Sequence, residues 1–503
     1  MHVSPRASDP QASSVSDTTR PSRELLFVLI AAWALVIVRC FVFTAYEHSF
    51  FDSDQAVFAL MAKHIIEGRA FPVFMYGQTY LLALDSYMSV PFFLAFGPTV
   101  AAMRLALMTM NGVIATTLIV ALVRWGGLRP LYALAASMFF TFAPPLTGAS
   151  LVEACGNIGQ FLYIVLLFLL RRRALWFGLV LAIGFLYREF TIFAVPMLLI
   201  GDLWQRRIFT GERLRFWLVA FAACLATWQS LQALKPYSDM MGPGTRGQLI
   251  RGEGGSQIGN ISDRVAIVPS ALPGRTLAMV RDHLPKLMGT RRSLHLIASQ
   301  GRDWLFWPIS LGLAAALLRA AWLARRPGTL DRAAFGWYLI GVGATAAAAY
   351  IATRPAQPFI DRYALLAIYL PVGVVAVYLA TEGRLAGRLA ILALVAVWSA
   401  SSGVDHAAQI ARYWGGREPD ELRVLARALA DRQIHVAEAG YWRAYKISFI
   451  TREQVKVAST DVVRIDEYQR LANEAGDGLI RIAESPCTGG EQVGGWYLCP
   501  TKN

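Results

Sequence analysis

The chain has 503 residues, 55% hydrophobic and only 16% charged, with a formal net charge of +14 and a mean hydropathy of +0.43. A soluble domain is nearer ~45–50% apolar and about 25% charged; the surplus here comes in blocks long enough to cross a bilayer, which excludes an ordinary soluble protein. Much of the Arg sits in short turns between those blocks and no basic face carries interleaved aromatics, which argues against nucleic acid as a partner.

In chain order, residues 1–24 are rich in Ser, Pro and Arg and are expected to form a disordered cytoplasmic tail. The apolar block 25–45 begins late and lacks a small-residue cleavage site, so it reads as a retained first span rather than a signal peptide. Arg39 lies inside it, either snorkelling or lining a cavity. Further spans are expected at 100–122, 130–147, 157–170, 174–188, 190–204, 214–234, 304–323, 334–352, 363–380 and 387–402, about eleven in all. Segment 81–97, LLALDSYMSVPFFLAFG, is short, contains Asp85 and has Pro91 in its interior.

If 81–97 lies on the outer surface or re-enters, the basic turns at Arg124/Arg129, Arg171–Arg173, Arg206/Arg207/Arg213, Arg325/Arg326 and Arg384/Arg388 share the side of the N-terminus. The positive-inside rule favours that arrangement, with a cytoplasmic N-terminus and an outward C-terminus. The expected fold is therefore an α-helical polytopic membrane protein. Its membrane domain covers 25–402, with outer loops at 46–99 and 235–303. The Gly-rich part of the second loop is either a flexible cover over a site or a plain connector.

From about 403 the composition changes. PDELRVLARALADRQ and IDEYQRLANEAG have helical periodicity, while IHVAEAG, EQVKVAS, GLIRIAES and GWYLCP read as short strands. A small C-terminal α/β domain over 403–503 is expected on the periplasmic side. Cys487 and Cys499 bracket CTGGEQVGGWYLC and either form a disulfide in an oxidising compartment or stay as two thiols. No zinc-type spacing, internal repeat or inverted pair of interrupted helices is present.

Several ionisable residues fall at the outer face in this topology: Asp52 and Asp54, Glu153, Arg188 and Glu189, and Arg354, Asp361 and Arg362. Charge at a membrane boundary is costly, which makes such a cluster a functional candidate. A carboxylate so placed can take a proton from a hydroxyl, and arginines can grip a phosphate by paired charge-assisted bonds. Each residue also has a plainer reading. Asp52 or Asp54 caps the helix suggested by FALMAKHIIEG, Glu153 is a solvated loop residue, Arg188 and Glu189 neutralise each other, and Arg362 snorkels to head groups. Lys63 and His64 read as interfacial.

The succession DSDQAVFALMAK, FPVFMYGQTYLLALDSYM and FGPTVAAMRLALM resembles the first outer loop of the GT-C superfamily of integral-membrane glycosyltransferases, in the branch of protein O-mannosyltransferases and aminoarabinose transferases. Asp54-Gln55 stands where that branch usually has Asp-Glu, Glu153 at its second acidic position, and Arg362-Tyr363 at its late Arg-Tyr pair. The resemblance implies an inverting transfer of a sugar from a polyprenyl-phosphate donor to an envelope glycan, lipid or protein. Asp54 would act as base, with Glu153 and Asp52 as its catalytic partners. Arg188, Glu189, Arg362, Tyr363, Tyr76, Gln78, Lys63 and His64 would contact substrate. Some members hold a divalent metal between the two acids and others do not, so no cofactor is assigned beyond that option. No nucleotide-binding loop is found. The implied location is the bacterial inner membrane, among lipids. A transporter or flippase of a lipid-linked or polar solute, and a non-catalytic envelope scaffold, are the rival classes.

Overall fold

Six apolar helices carry the membrane character of the chain: α1 (Arg23–Ala45), α4 (Val100–Arg124), α10 (Gly211–Ser238), α11 (Asp303–Leu323), α12 (Ala334–Ala352) and α14 (Leu385–Gly415). Among the described residues, these six are long and apolar enough to cross a membrane. Between them lie α2 (Ser53–Ile66), α3 (Leu84–Phe96), α5 (Pro130–Thr141), α6 (Pro145–Ser150), α7 (Gly159–Leu169), α8 (Ala174–Tyr187), α9 (Ala194–Trp204) and α13 (Tyr369–Thr381). The structure, a computed structural model, describes residues 23–46, 50–78, 81–238, 268–291, 302–325, 333–353, 361–415 and 421–501. Arg354, most of the N-terminal tail and most of the loop expected at 235–303 lie outside them.

The outward faces of the long helices are apolar. Phe27 is 68% exposed, Leu311 65% and Leu318 72%. Large contiguous apolar surface of this kind needs a non-aqueous neighbour. Inside the bundle, glycine lets backbones meet: a Cβ added to Gly373 of α13 would stand 2.6 Å from the carbonyl oxygen of Gly336 on α12. Close approach through small residues is the usual packing device where water does not drive association.

The expected span 130–147 is broken, and the break explains Arg39. Pro144 has no N–H to donate to the carbonyl of Phe140 four residues earlier, so that acceptor is left open. The fully buried Arg39 donates to it, and to the side chain of Asn111. Arg39 therefore neither snorkels nor faces a path; it repairs a helix end.

Helix α14 runs past residue 402 to Gly415 before the chain changes character. Beyond it come α15 (Glu421–Asp431), β1 (Val436–Ala439), α16 (Tyr441–Ile450), β2 (Lys456–Ser459), α17 (Asp466–Ala475), β3 (Ile480–Ala483), β4 (Glu491–Val493) and β5 (Trp496–Pro500). The sheet order is β2-β1-β3-β5-β4, with β2, β1 and β3 parallel and β5 antiparallel to both β3 and β4. A Cys487–Cys499 disulfide, with Cα atoms 6.0 Å apart, ties β5 to the turn before β4.

Helix α16 has two apolar faces. Ala444 and Ile447 pack with Leu425 and Leu429 of α15 in the sheet's own core, whereas Tyr441, Tyr445 and Phe449, spaced at i, i+4 and i+8, belong to the core of the helical body. Phe449 packs on Phe51 and Phe93, with ring centroids 5.7 and 6.0 Å away. The C-terminal domain is thereby docked on α2 and α3.

Candidate functional site

The α2 N-terminus separates the positions of the paired aspartates. The helix starts at Ser53, so Asp52 is the N-cap and its Oδ1 accepts the Gln55 amide at 3.0 Å. Asp54 then falls in the first turn, beside the positive end of the helix dipole. Burial, and the charge of Asp54 beside it, push the Asp52 carboxyl above its ordinary range.

Both oxygens of Asp54 are engaged. Oδ2 accepts Nη1 of Arg362 at 3.2 Å and Oδ1 accepts the hydroxyl of Tyr441 at 2.5 Å. The thiol of Cys155 lies 3.8 Å from Oδ2 and 3.5 Å from Arg362 Nη1. Burial, reinforced by the charge of Asp54, pushes that thiol up to about 12, so it stays protonated and is no nucleophile.

Cys155 belongs to the turn after α6, which also carries Glu153. The turn is held by Asp85 at the start of α3, whose carboxylate accepts the Gly156 amide at 3.0 Å and the Tyr187 hydroxyl at 2.6 Å. Gly156 has φ +72, and a Cβ there would stand 2.9 Å from both Leu81 and the carbonyl of Tyr187, so the turn requires glycine. Glu153 accepts Asn157 Nδ2 at 2.9 Å and attracts Arg362.

Arg188, at the end of α8, donates to the Cys155 carbonyl at 3.2 Å. Its guanidinium and that of Arg362 lie 5.5 and 5.7 Å from the ring centre of Tyr363, and the two cations repel each other. The Nε of each is buried without a hydrogen-bond partner among the described residues. An anion placed between two guanidiniums would take up such unused donors and relieve their repulsion.

Asp54, Glu153, Arg188, Arg362 and Tyr363 are thus brought together, with Asp52 capping the helix below them and Glu189 attracting Arg188 from the next position. Lys63, His64 and Tyr76 are placed elsewhere. Ten residues along α2 set His64 about 15 Å from Asp54. There Glu453, at the α16–β2 turn, accepts Lys63 at 2.5 Å, Arg69 at 2.9 Å and Tyr468 at 2.8 Å, with His64 Nε2 at 3.1 Å and the Tyr76 hydroxyl 3.0 Å from His64 Nδ1. These residues hold the C-terminal domain against α2. Gln78 lies beyond Tyr76, its Oε1 buried without a partner among the described residues. Of Arg354, and of the Asp361 side chain, nothing is described.

Gln55, the departure from the usual Glu, points into packing: its Nε2 donates to the Phe50 carbonyl at 2.8 Å and its Oε1 accepts Arg104 at 2.6 Å. As to a metal, no group of three or more His, Cys, Asp or Glu among the described residues is arranged to hold one. Arg362 sits on the Asp54 oxygen, beside Glu153, where a shared ion would bind, so the residues present do not fit a metal bridged between the two acids. Tyr441 was not foreseen; its one sequence signal is the Tyr441/Tyr445/Phe449 stripe that gives α16 its second apolar face.

No family model matches the chain, and no curated protein matches it. Among solved structures, it is similar to the crystal structure of ArnT from Cupriavidus metallidurans bound to undecaprenyl phosphate. The TM-score is 0.54 at 11% identity, over 91% of this chain and 92% of that one. The two share a fold.

Proposed function

We propose that the protein transfers a sugar from a polyprenyl-phosphate-linked donor to a hydroxyl of an envelope acceptor, at the outer face of a bacterial inner membrane and with inversion at the anomeric carbon. The observation that carries this reading is the meeting of one carboxylate, Asp54, with two arginines whose spare donors face an anion-sized problem of charge. The solved structure of similar fold supports it, being one that holds a polyprenyl phosphate.

In this reading the acceptor hydroxyl gives its proton to Asp54, whose oxygens keep lone pairs beyond those used by Arg362 and Tyr441. The acceptor oxygen bonds to the anomeric carbon as the carbon–phosphate oxygen bond breaks. The polyprenyl phosphate departs with the bonding electrons, and Arg188 and Arg362 neutralise its charge. Arg362 touches the base and faces the leaving group, coupling the two ends of the displacement. Asp52, as the N-cap, fixes where α2 begins and so where Asp54 stands in its first turn. Glu153, steadied by Asn157, orients the acceptor.

The test uses full-length protein in nanodiscs with radiolabelled polyprenyl-phosphate sugar and an envelope extract as acceptor source. Label passes to the extract with wild type, and Asp54→Asn slows the transfer by about 10²–10⁴-fold. Donor that stays intact while crossing the bilayer would instead make the protein a transporter.

A further inference from the structure

We infer that Tyr441, supplied by the C-terminal domain, is a positioning residue for Asp54, so that the catalytic centre is complete only when that domain is docked. The inference rests on the glycosyl-transfer reading above and adds to it a residue and a dependence between domains.

The geometry begins at the end of β1. Gly440 turns the chain into α16, and the first amide of the helix, that of Tyr441, donates to Oδ1 of Asp461 at 2.6 Å. The same oxygen accepts Ser459 Oγ at 2.9 Å, at the end of the neighbouring parallel strand. The backbone of Tyr441 is therefore tied to two adjacent strand ends of the sheet, a regular element that holds a side chain more precisely than a loop does. From there the side chain reaches into the helical body and is only 4% exposed. Its ring is flanked by Arg464, whose Cζ lies 5.4 Å from the ring centre and whose Nη1 donates to the Gly77 carbonyl at 3.0 Å.

The hydroxyl ends 2.5 Å from Asp54 Oδ1. Burial, and then the charge of Asp54, push the phenol well above its ordinary range, so it remains a donor at neutral pH. With Arg362 on Oδ2, the carboxylate is held at both oxygens: one hand comes from the helical body, the other from a domain 387 residues along the chain. A base gripped by one donor alone would swing about its Cβ–Cγ bond, and small misplacements of a reacting group are costly in rate. The Tyr441 hydroxyl is placed on a carboxylate that also faces an arginine and a thiol, which packing of the ring alone does not require.

The experiment compares wild type, Tyr441→Phe, Tyr445→Phe and Asp54→Asn, each full length in nanodiscs, by initial rates of sugar transfer between pH 5 and 9. Tyr441→Phe keeps the ring and its packing. It is expected to lower kcat by about ten- to a hundredfold with the donor KM unchanged. Loss of a donor to the ionised base also moves the acid limb of the pH–rate profile upward. Tyr445→Phe, on the same face of α16 but bonded to the Arg464 amide and not to Asp54, is expected to keep wild-type kcat and acid limb whatever it does to thermal stability. Tyr441→Phe with wild-type kcat and profile, beside an inactive Asp54→Asn, would overturn this inference and leave the glycosyl-transfer reading standing. An active Asp54→Asn would overturn that reading instead. Equal losses in Tyr441→Phe and Tyr445→Phe, without movement of the acid limb, would make Tyr441 structural and also refute the inference.

Discussion

Glu453 is where the docking of the two parts of the chain can be broken most selectively. Its side chain is 4% exposed and satisfies Lys63, His64, Arg69 and Tyr468 at once. Breaking a buried pair from one side costs about 3–5 kcal/mol because the remaining charge is stranded. Here the loss is partly offset: Lys63 keeps Glu67 at 2.6 Å and Arg69 keeps Glu467 at 2.9 Å, so Glu453→Gln is expected to cost about 2–3 kcal/mol of docking. That is roughly a thirty- to hundred-and-fiftyfold shift in the docked equilibrium. Hydrogen exchange of the α16 amides, followed by mass spectrometry in nanodiscs, reads it directly as faster opening of that helix. Amides of α4 serve as the internal reference. Exchange of α16 within threefold of wild type would refute the reasoning.

The same contact carries a pH signature. Burial alone would raise the Glu453 carboxyl, but the bonds from His64, Lys63 and Tyr468 outweigh it and hold the group well below its ordinary range. A depressed folded value means that the stabilisation is fully present above the unfolded carboxyl value of about 4.3 and is lost as pH falls below it. The contribution of this group to docking should therefore be constant between pH 5 and 8 and should weaken below about pH 4.3 in wild type, but not in Glu453→Gln.

Two further outcomes are expected. Arg362→Ala removes a cation from both Asp54 and the anion receptor, and should raise the donor KM about tenfold or more while also lowering kcat; a change in neither, measured by the transfer assay, would remove Arg362 from the site. Arg39→Leu strands the Phe140 carbonyl and the Asn111 side chain inside the bundle and should cost about 2–4 kcal/mol, read as a lowered thermal midpoint of the purified protein.

Membrane character, the helical blocks and the pool of candidate charges are properties of the sequence by itself, because the cost of putting polar groups in lipid is local and leaves its mark on every stretch of chain. Asp54, Glu153, Arg188 and Arg362 entered that pool by sidedness, each stranded at the end of an apolar block. Their division of labour was not legible. The division that makes Asp52 the cap and Asp54 the buried ligand of Arg362 depends on where α2 begins. Lys63 and His64 looked like neighbours of the site, yet ten residues of helix carry them about 15 Å away to Glu453. Arg39 found its partner because a proline in another helix left a carbonyl open. Tyr441 is the extreme case: its hydroxyl meets Asp54 only through the docking of α16 on α2, a contact across 387 positions that no local pattern encodes. Local preferences select the elements, whereas a site built from five separated segments exists only once packing has chosen which of their faces meet.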